Sequence, residues 1–193
     1  LWEIERLLGT SRTGIALREG VRVVIVGAPN VGKSSLLNAL LEEERAIVHE
    51  MAGTTRDYIE GSISIGGIPM RVVDTAGIRV SADALEREGV RRTRDLMERA
   101  DILLVVLDSS RPLFPEEKAL LEETLGFARV IAANKADLGP HPGFDPSQGA
   151  VRVSALKRQG MEELKSAVQQ AYLGDAPGLD PEKGVATTVR QAE

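Results

Sequence analysis

The sequence predicts an α/β fold: a six-stranded, mainly parallel sheet with one antiparallel edge strand and helices on both faces. Three observations carry this. Apolar β-branched runs alternate with segments of helical spacing along most of the chain. Three runs, Val21–Val26, Ile102–Leu107 and Ala128–Ala133, are nearly continuously apolar, as strands covered on both faces must be. Gly66-Gly67 lies between two further strand-like segments, Ile59–Ile65 and Pro69–Val73, which signals a hairpin and hence the antiparallel pair.

In chain order, the first strand ends in Gly27, and Lys33–Leu41 follows with Leu36, Leu37, Leu40 and Leu41 at helical spacing. After the hairpin come a helix over Ala84–Arg99, the strand Ile102–Leu107 and a helix over Glu116–Leu125. The strand Ala128–Ala133, a short strand Val151–Val153 and a helix Met161–Tyr172 complete the series. Leu138–Gly149 and Gly174–Gly184 are rich in glycine and proline and are expected to be exposed loops. In such a sheet, ligands sit beyond the carboxyl ends of the strands.

Composition bounds the function. With 193 residues, 42% of them hydrophobic, the chain suits one domain with modest extensions. Its 24 basic and 29 acidic residues give a formal charge of -5, no excess with which to hold a polyanion, so tight nucleic-acid binding by this chain alone is not expected. Without cysteine there is no disulfide framework and no thiolate metal site. No apolar run approaches membrane-spanning length, and Leu1–Leu8 mixes charge into its apolar positions, unlike a signal peptide. The expected location is the cytoplasm, without membrane contact. The first residue is not methionine, so a piece of a longer protein is expected.

Gly27-Ala28-Pro29-Asn30-Val31-Gly32-Lys33-Ser34 fits G-x-x-x-x-G-K-S between a strand and a helix, the setting in which that pattern binds phosphate. Its glycines allow a turn whose N–H groups, with the helix N-terminus, converge on phosphate oxygens; Asn30, Val31, Gly32, Lys33, Ser34 and Ser35 form this part of the site. Lys33 is expected to reach the β and γ phosphates and the Ser34 hydroxyl to ligate magnesium. Val72-Val73-Asp74-Thr75-Ala76-Gly77 then offers Asp74 as a magnesium-side carboxylate and the Gly77 N–H toward the γ phosphate. Alone, that segment reads equally well as a helix-capping aspartate with a turn glycine.

Asn134-Lys135-Ala136-Asp137 supplies what a guanine edge requires. Asp137 can accept from the ring N1–H and the exocyclic amine together, Lys135 can lie over the base, and Asn134 can brace the pocket. Ser154-Ala155-Leu156 can offer a backbone N–H to the guanine carbonyl. Taken alone the first of these segments is a polar turn. What reverses that reading is order, because four segments follow one another at successive strand ends, where one guanine nucleotide can touch them all.

These residues resemble the translation-factor-related P-loop GTPases of Ras-like fold. Within them, Gly27 to Leu40, Gly53-Thr54-Thr55-Arg56-Asp57 and Asp74-Thr75-Ala76-Gly77-Ile78-Arg79 look like the MnmE (TrmE) family of tRNA-modification GTPases. The resemblance implies that 1–20 is a stub of a flanking helical domain, 21–173 the GTPase domain, and 174–193 a linker returning to that helical domain. It implies modification of the tRNA wobble uridine at its 5-position, jointly with the partner MnmG (GidA) and with tRNA held by the full complex. The family's folate-binding N-terminal domain and its cysteine-containing C-terminal motif lie outside these residues, so only GTP hydrolysis to GDP is expected of them.

Ile78 stands where many GTPases keep a water-orienting glutamine, and an aliphatic side chain cannot hydrogen-bond. The resemblance carries the water-positioning role onto Glu86, which without it reads as a solvated helix carboxylate. It also implies a potassium ion in place of an arginine finger, with Asn30 as side-chain ligand and backbone carbonyls from the loop Ala46–Thr54, including His49, Met51 and Thr54. His49 and Met51 depart from the family pattern, which leaves carbonyl ligation unaffected. Catalysis then falls to Glu86, Lys33 and Gly77; magnesium to Ser34, Thr55 and Asp74; and activation to dimerisation across the nucleotide faces. Ala46–Asp57 and Ala76–Arg87 are expected to rearrange between GDP and GTP. Two other readings compete: a nucleotide-gated binding switch resembling the ribosome-assembly GTPases Era and Der, and ATP use, which Asp137 disfavours.

Overall fold

The computed structural model describes residues 20–44, 59–74, 93–146 and 149–173. Among the described residues, six strands form one sheet in the order β2-β3-β1-β4-β5-β6. They are β1 (Val21–Val26), β2 (Ile59–Ile65), β3 (Ile68–Asp74), β4 (Ile102–Asp108), β5 (Arg129–Asn134) and β6 (Val151–Arg152). β1 pairs in parallel with β3 and β4, β4 with β5, and β5 with β6. β2 pairs antiparallel with β3, from Ile59↔Asp74 to Ile65↔Ile68. Gly66 and Gly67 close that hairpin with φ of 58° and 80°, the positive values a two-residue turn needs to match the strand twist.

Among the described residues, four α-helices cover the sheet: α1 (Lys33–Glu44), α2 (93–98), α3 (Pro115–Glu123) and α4 (Met161–Leu173). Because side chains alternate along a strand, the sheet builds two cores. Val21, Val23 and Ile25 pack with Leu36, Leu37 and Leu40 of α1 and with Leu164 and Val168 of α4. Val24, Val26, Leu103, Val105 and Leu107 pack with Met97 of α2 and Leu121 of α3. Every residue of β4 is buried. At about 1.5–3 kcal/mol for each fully buried aliphatic side chain, this double packing holds the strand ends rigidly. Strand order reverses about β1, whose carboxyl end is therefore the expected ligand crevice.

The structure moves some expected boundaries, for polar reasons. β3, β4 and β5 each run one residue further than their apolar stretches, to Asp74, Asp108 and Asn134, all buried. The helix expected over Glu116–Leu125 instead starts at Pro115 and ends at Glu123. Its end is set by side chains: the Thr124 hydroxyl donates to Leu120 O at 2.8 Å, and the Arg129 guanidinium donates to Leu121 O and to Thr124 Oγ1. Leu125, left outside, is exposed. At its start, Glu117 accepts the Phe114 N–H at 2.9 Å and a bidentate pair from Arg111 at 2.7 and 2.9 Å. The loop after Leu138 is largely exposed, as expected, yet His141 N–H donates to Ser109 O at 2.8 Å and Phe144 packs against the second core. Of the helix expected from Ala84, the part before residue 93 lies outside the described residues, as do 1–19 and 174–193 of the expected flanks.

Candidate nucleotide site

The loop from Gly27 to Gly32 joins β1 to α1 by close backbone approach. A Cβ on Gly27 would lie 2.4 Å from Val106 O, and one on Gly32, at φ 97°, 2.3 Å from Asn134 Nδ2, so neither position accepts a side chain. Asn30 itself is left-handed, at φ 65°. Lys33, buried, turns back over the loop and donates to Gly27 O at 2.9 Å and Ala28 O at 2.8 Å. The Leu36 N–H bonds Gly32 O at 2.9 Å and closes the first turn of α1 against the loop.

The structure sets Ser34 and Asp74, the two residues expected on the magnesium side, against each other. The Ser34 hydroxyl donates to Asp74 Oδ2 at 2.6 Å, and Asp74 is fully buried at the end of β3. Two hard oxygen donors at that distance, one of them a carboxylate, suit a magnesium ion, which takes oxygen ligands and keeps part of its water shell.

Asn134 joins three segments far apart in sequence. Its Nδ2 donates to Val31 O at 2.8 Å, its Oδ1 accepts from Ala155 N–H at 3.0 Å, and its own carbonyl accepts from Ser109 N–H at 2.9 Å and Ser109 Oγ at 2.7 Å. Asp137 and Ser154 meet as well, with Ser154 Oγ donating to Asp137 Oδ1 at 2.5 Å. The Ser154-Ala155-Leu156 turn is closed by reciprocal backbone bonds between Ser154 and Gln159, at 3.0 and 3.1 Å. Gly160 makes this possible, because a Cβ there would meet Arg152 O at 2.1 Å. One N–H of this turn is expected to reach the guanine carbonyl; of its three amides, those of Ser154 and Ala155 are engaged within the protein.

Lys135 adopts a left-handed backbone, φ 62°, and its ammonium reaches Asp108 Oδ2 at 2.6 Å. The apolar run ending in Asp108 did not suggest this residue, although a buried carboxylate closing a strand demands partners. Burial alone would raise the Asp108 carboxyl; hydrogen bonds from Lys135 and Ser110 outweigh it and hold the group below its ordinary value. Arg111 stands 3.7 Å from the same oxygen. The Arg111 guanidinium is in turn raised, first by its hydrogen bonds to Glu117.

His49, Met51, Thr54, Thr55, Gly77 and Glu86 lie outside the described residues. The rest of the predicted set, Asn30 to Ser35, Asp74, Asn134, Lys135, Asp137 and Ser154 to Leu156, lies along the connections that leave the carboxyl ends of β1, β3, β5 and β6. Among the described residues no helix is long and apolar enough to cross a membrane.

A phosphate loop closing β1, a serine–aspartate pair beside it and a braced Asn-Lys-x-Asp turn define a P-loop GTPase domain. Residues 22–135 match the 50S ribosome-binding GTPase family, and the chain belongs to it. It is 49% identical over 167 residues to the tRNA modification GTPase MnmE of Aquifex aeolicus, covering 86% of this chain and 37% of that protein. MnmE of Natranaerobius thermophilus is 48% identical, over 87% of this chain and 38% of its own length. The chain thus spans under two fifths of the length of these relatives. Among solved structures, an Aquifex aeolicus Era variant bound to GDP·AlF4− is similar with a TM-score of 0.60 and 31% identity, over 83% of this chain and 59% of that one. The G domain of FeoB from Methanococcus jannaschii is similar with a TM-score of 0.55 and 25% identity, over 79% and 97%. The enzyme class and the Ras-like architecture expected from sequence are both met.

Proposed function

We propose that this domain hydrolyses GTP as the cation-assisted, dimer-activated motor of a tRNA wobble-uridine modification GTPase in the cytoplasm, with MnmG and tRNA engaged by the full-length protein. The observation that carries the guanine part is Asn134, whose one amide ties the phosphate loop to the Ser154–Leu156 turn and so fixes the distance between phosphate and base subsites. In this reading Asp137 accepts from N1–H and the exocyclic amine, and Lys135 covers the base. With the Ser154 and Ala155 amides engaged, the guanine carbonyl is served by the Leu156 N–H or by a bond shared at Ala155.

At the phosphates, Lys33 neutralises the β and γ oxygens, and the N–H groups from Asn30 to Ser35 and at Gly77 cradle them. Ser34, Asp74 and Thr55 would hold magnesium, which supplies charge neutralisation there. Asn30, with carbonyls of His49, Met51 and Thr54, would hold potassium, offsetting charge that develops between the β and γ phosphates. Glu86 would orient the attacking water. Support for these assignments is the 42–49% identity to MnmE proteins together with the motif residues themselves. Era-like use as a docking switch is less well supported, resting on 31% identity.

The test is GTP turnover against protein concentration, in potassium and in sodium. Turnover per molecule is expected to rise with concentration in potassium and stay low in sodium; equal rates in both would remove the cation, and a flat concentration dependence would remove the dimer. Glu86→Ala is expected to lose about two orders of magnitude in rate with GTP affinity unchanged.

A further inference from the structure

β4 and β5 are in parallel register with Asp108 beside Asn134, so the carboxyl end of β4 borders the first residue of the guanine motif. Both oxygens of Asp108 are assigned. Oδ1 accepts the Ser110 N–H at 3.0 Å and the Ser110 hydroxyl at 2.6 Å, and Oδ2 accepts the Lys135 ammonium at 2.6 Å. The turn made with Ser110 holds the carboxylate in one orientation, with the second oxygen left for the lysine. Lys135 is held at both ends. Its backbone sits in the left-handed region, and its Nζ is bound to a buried carboxylate. Between those two points the four-carbon stem has little freedom left.

We infer that Asp108 is a positioning residue for guanine-nucleotide binding: it pins the Lys135 ammonium so that the lysine stem is a ready-made apolar wall for the base. The inference rests on the guanine reading given above. An unpinned lysine would surrender its rotamer freedom each time a nucleotide bound, and one immobilised side chain of this kind weakens binding by about three- to tenfold. The ligand class is a guanine nucleoside diphosphate or triphosphate. Asp108 touches neither the base nor the reacting phosphates in this account; it acts through Lys135 alone. Arg111, the second cation near Oδ2, is committed to Glu117 and does not replace the lysine.

Asp108→Asn tests this, since the amide oxygen keeps both Ser110 bonds and the side chain keeps its size. GDP binding and release are measured in four proteins: wild type, Asp108→Asn, Lys135→Met and the double variant. Asp108→Asn is expected to weaken GDP about three- to tenfold through faster release. In the Lys135→Met background the same change is expected to do nothing, because the lysine it acts through is gone. An equal loss in both backgrounds, or no loss in either, overturns the inference. Asp137→Asn is run alongside and is expected to exchange guanine for xanthine preference. If it does while Asp108→Asn is silent, only the positioning role fails; if it does not, the guanine reading fails and takes the positioning role with it.

Discussion

At the carboxyl end of β1 the candidate nucleotide site is shaped mainly by backbone, joined by the Lys33 and Ser34 side chains, and at the ends of β5 and β6 mainly by side chains. The phosphate loop needs Gly27 and Gly32 because neighbouring atoms already occupy the space of a Cβ. The base side is tied together by side chains: Asn134 bonds Val31 O and the Ala155 N–H, Ser154 bonds Asp137, and Asp108 holds Lys135. Phosphate is the same in every nucleotide and is satisfied by a curve of N–H groups; a base is told from another base only by particular donors and acceptors. Tolerance to substitution should differ accordingly, steeply steric in one half and graded in the other.

Gly32→Ala should have the largest effect, because it imposes a strained φ and pushes on the Asn134 amide at once. A combined cost of about 3 kcal/mol or more is expected, read as at least about a hundredfold weaker GDP binding by titration. If Gly32→Ala binds GDP normally, the steric account of the phosphate half is wrong. Asn134→Ala comes next. It leaves Val31 O and Ala155 N–H without their partner, and about 2–3 kcal/mol should be lost from stability in denaturant unfolding. A loss confined to GTP affinity, with unfolding unchanged, would mean that Asn134 reads the ligand rather than bracing the protein.

The smallest effect is pH-dependent. The Asp108 carboxyl is depressed in the fold, so its contribution is complete above the unfolded carboxyl pKa and is lost as pH falls through the lower folded value. The groups facing it are Lys135, Ser110 and Arg111. GDP affinity is therefore expected to be level through neutral pH. In acid below the ordinary carboxylate range, wild type should lose a few-fold more affinity than Asp108→Asn, which has nothing there to protonate. Parallel profiles for the two proteins would detach Asp108 from the site.

Legibility followed chemistry. Gly27 to Ser34 is a contiguous segment whose residue types have one combined use, whereas Asn134 to Asp137, a polar turn when taken alone, takes its reading from the order of the four segments. The strands were readable from their apolar runs, and β1 and β2 end where expected; the ends of β3, β4 and β5 were each misplaced by one polar residue, since Asp74, Asp108 and Asn134 are buried against every average for their types, and β6 stops one residue short of Val153. Asp108 escaped notice for the same reason. Its partners, Ser110 nearby and Lys135 across the register, are ordinary residues until the sheet sets them side by side. The end of α3 was overrun because its stop is a threonine and an arginine from the next strand rather than a glycine.

By itself, the sequence determined the α/β layering, the hairpin at Gly66-Gly67, the phosphate loop and the guanine motif, because period, turn chemistry and contiguous donors are local properties. Tertiary structure decided what those segments do to one another: that Gly32 has no room beside Asn134, that Ser34 meets Asp74, and that Lys135 is held by a carboxylate on another strand. Such contacts depend on strand order and register. No local pattern encodes them, since they form only when burial on both faces of one sheet brings distant strand ends to a common edge.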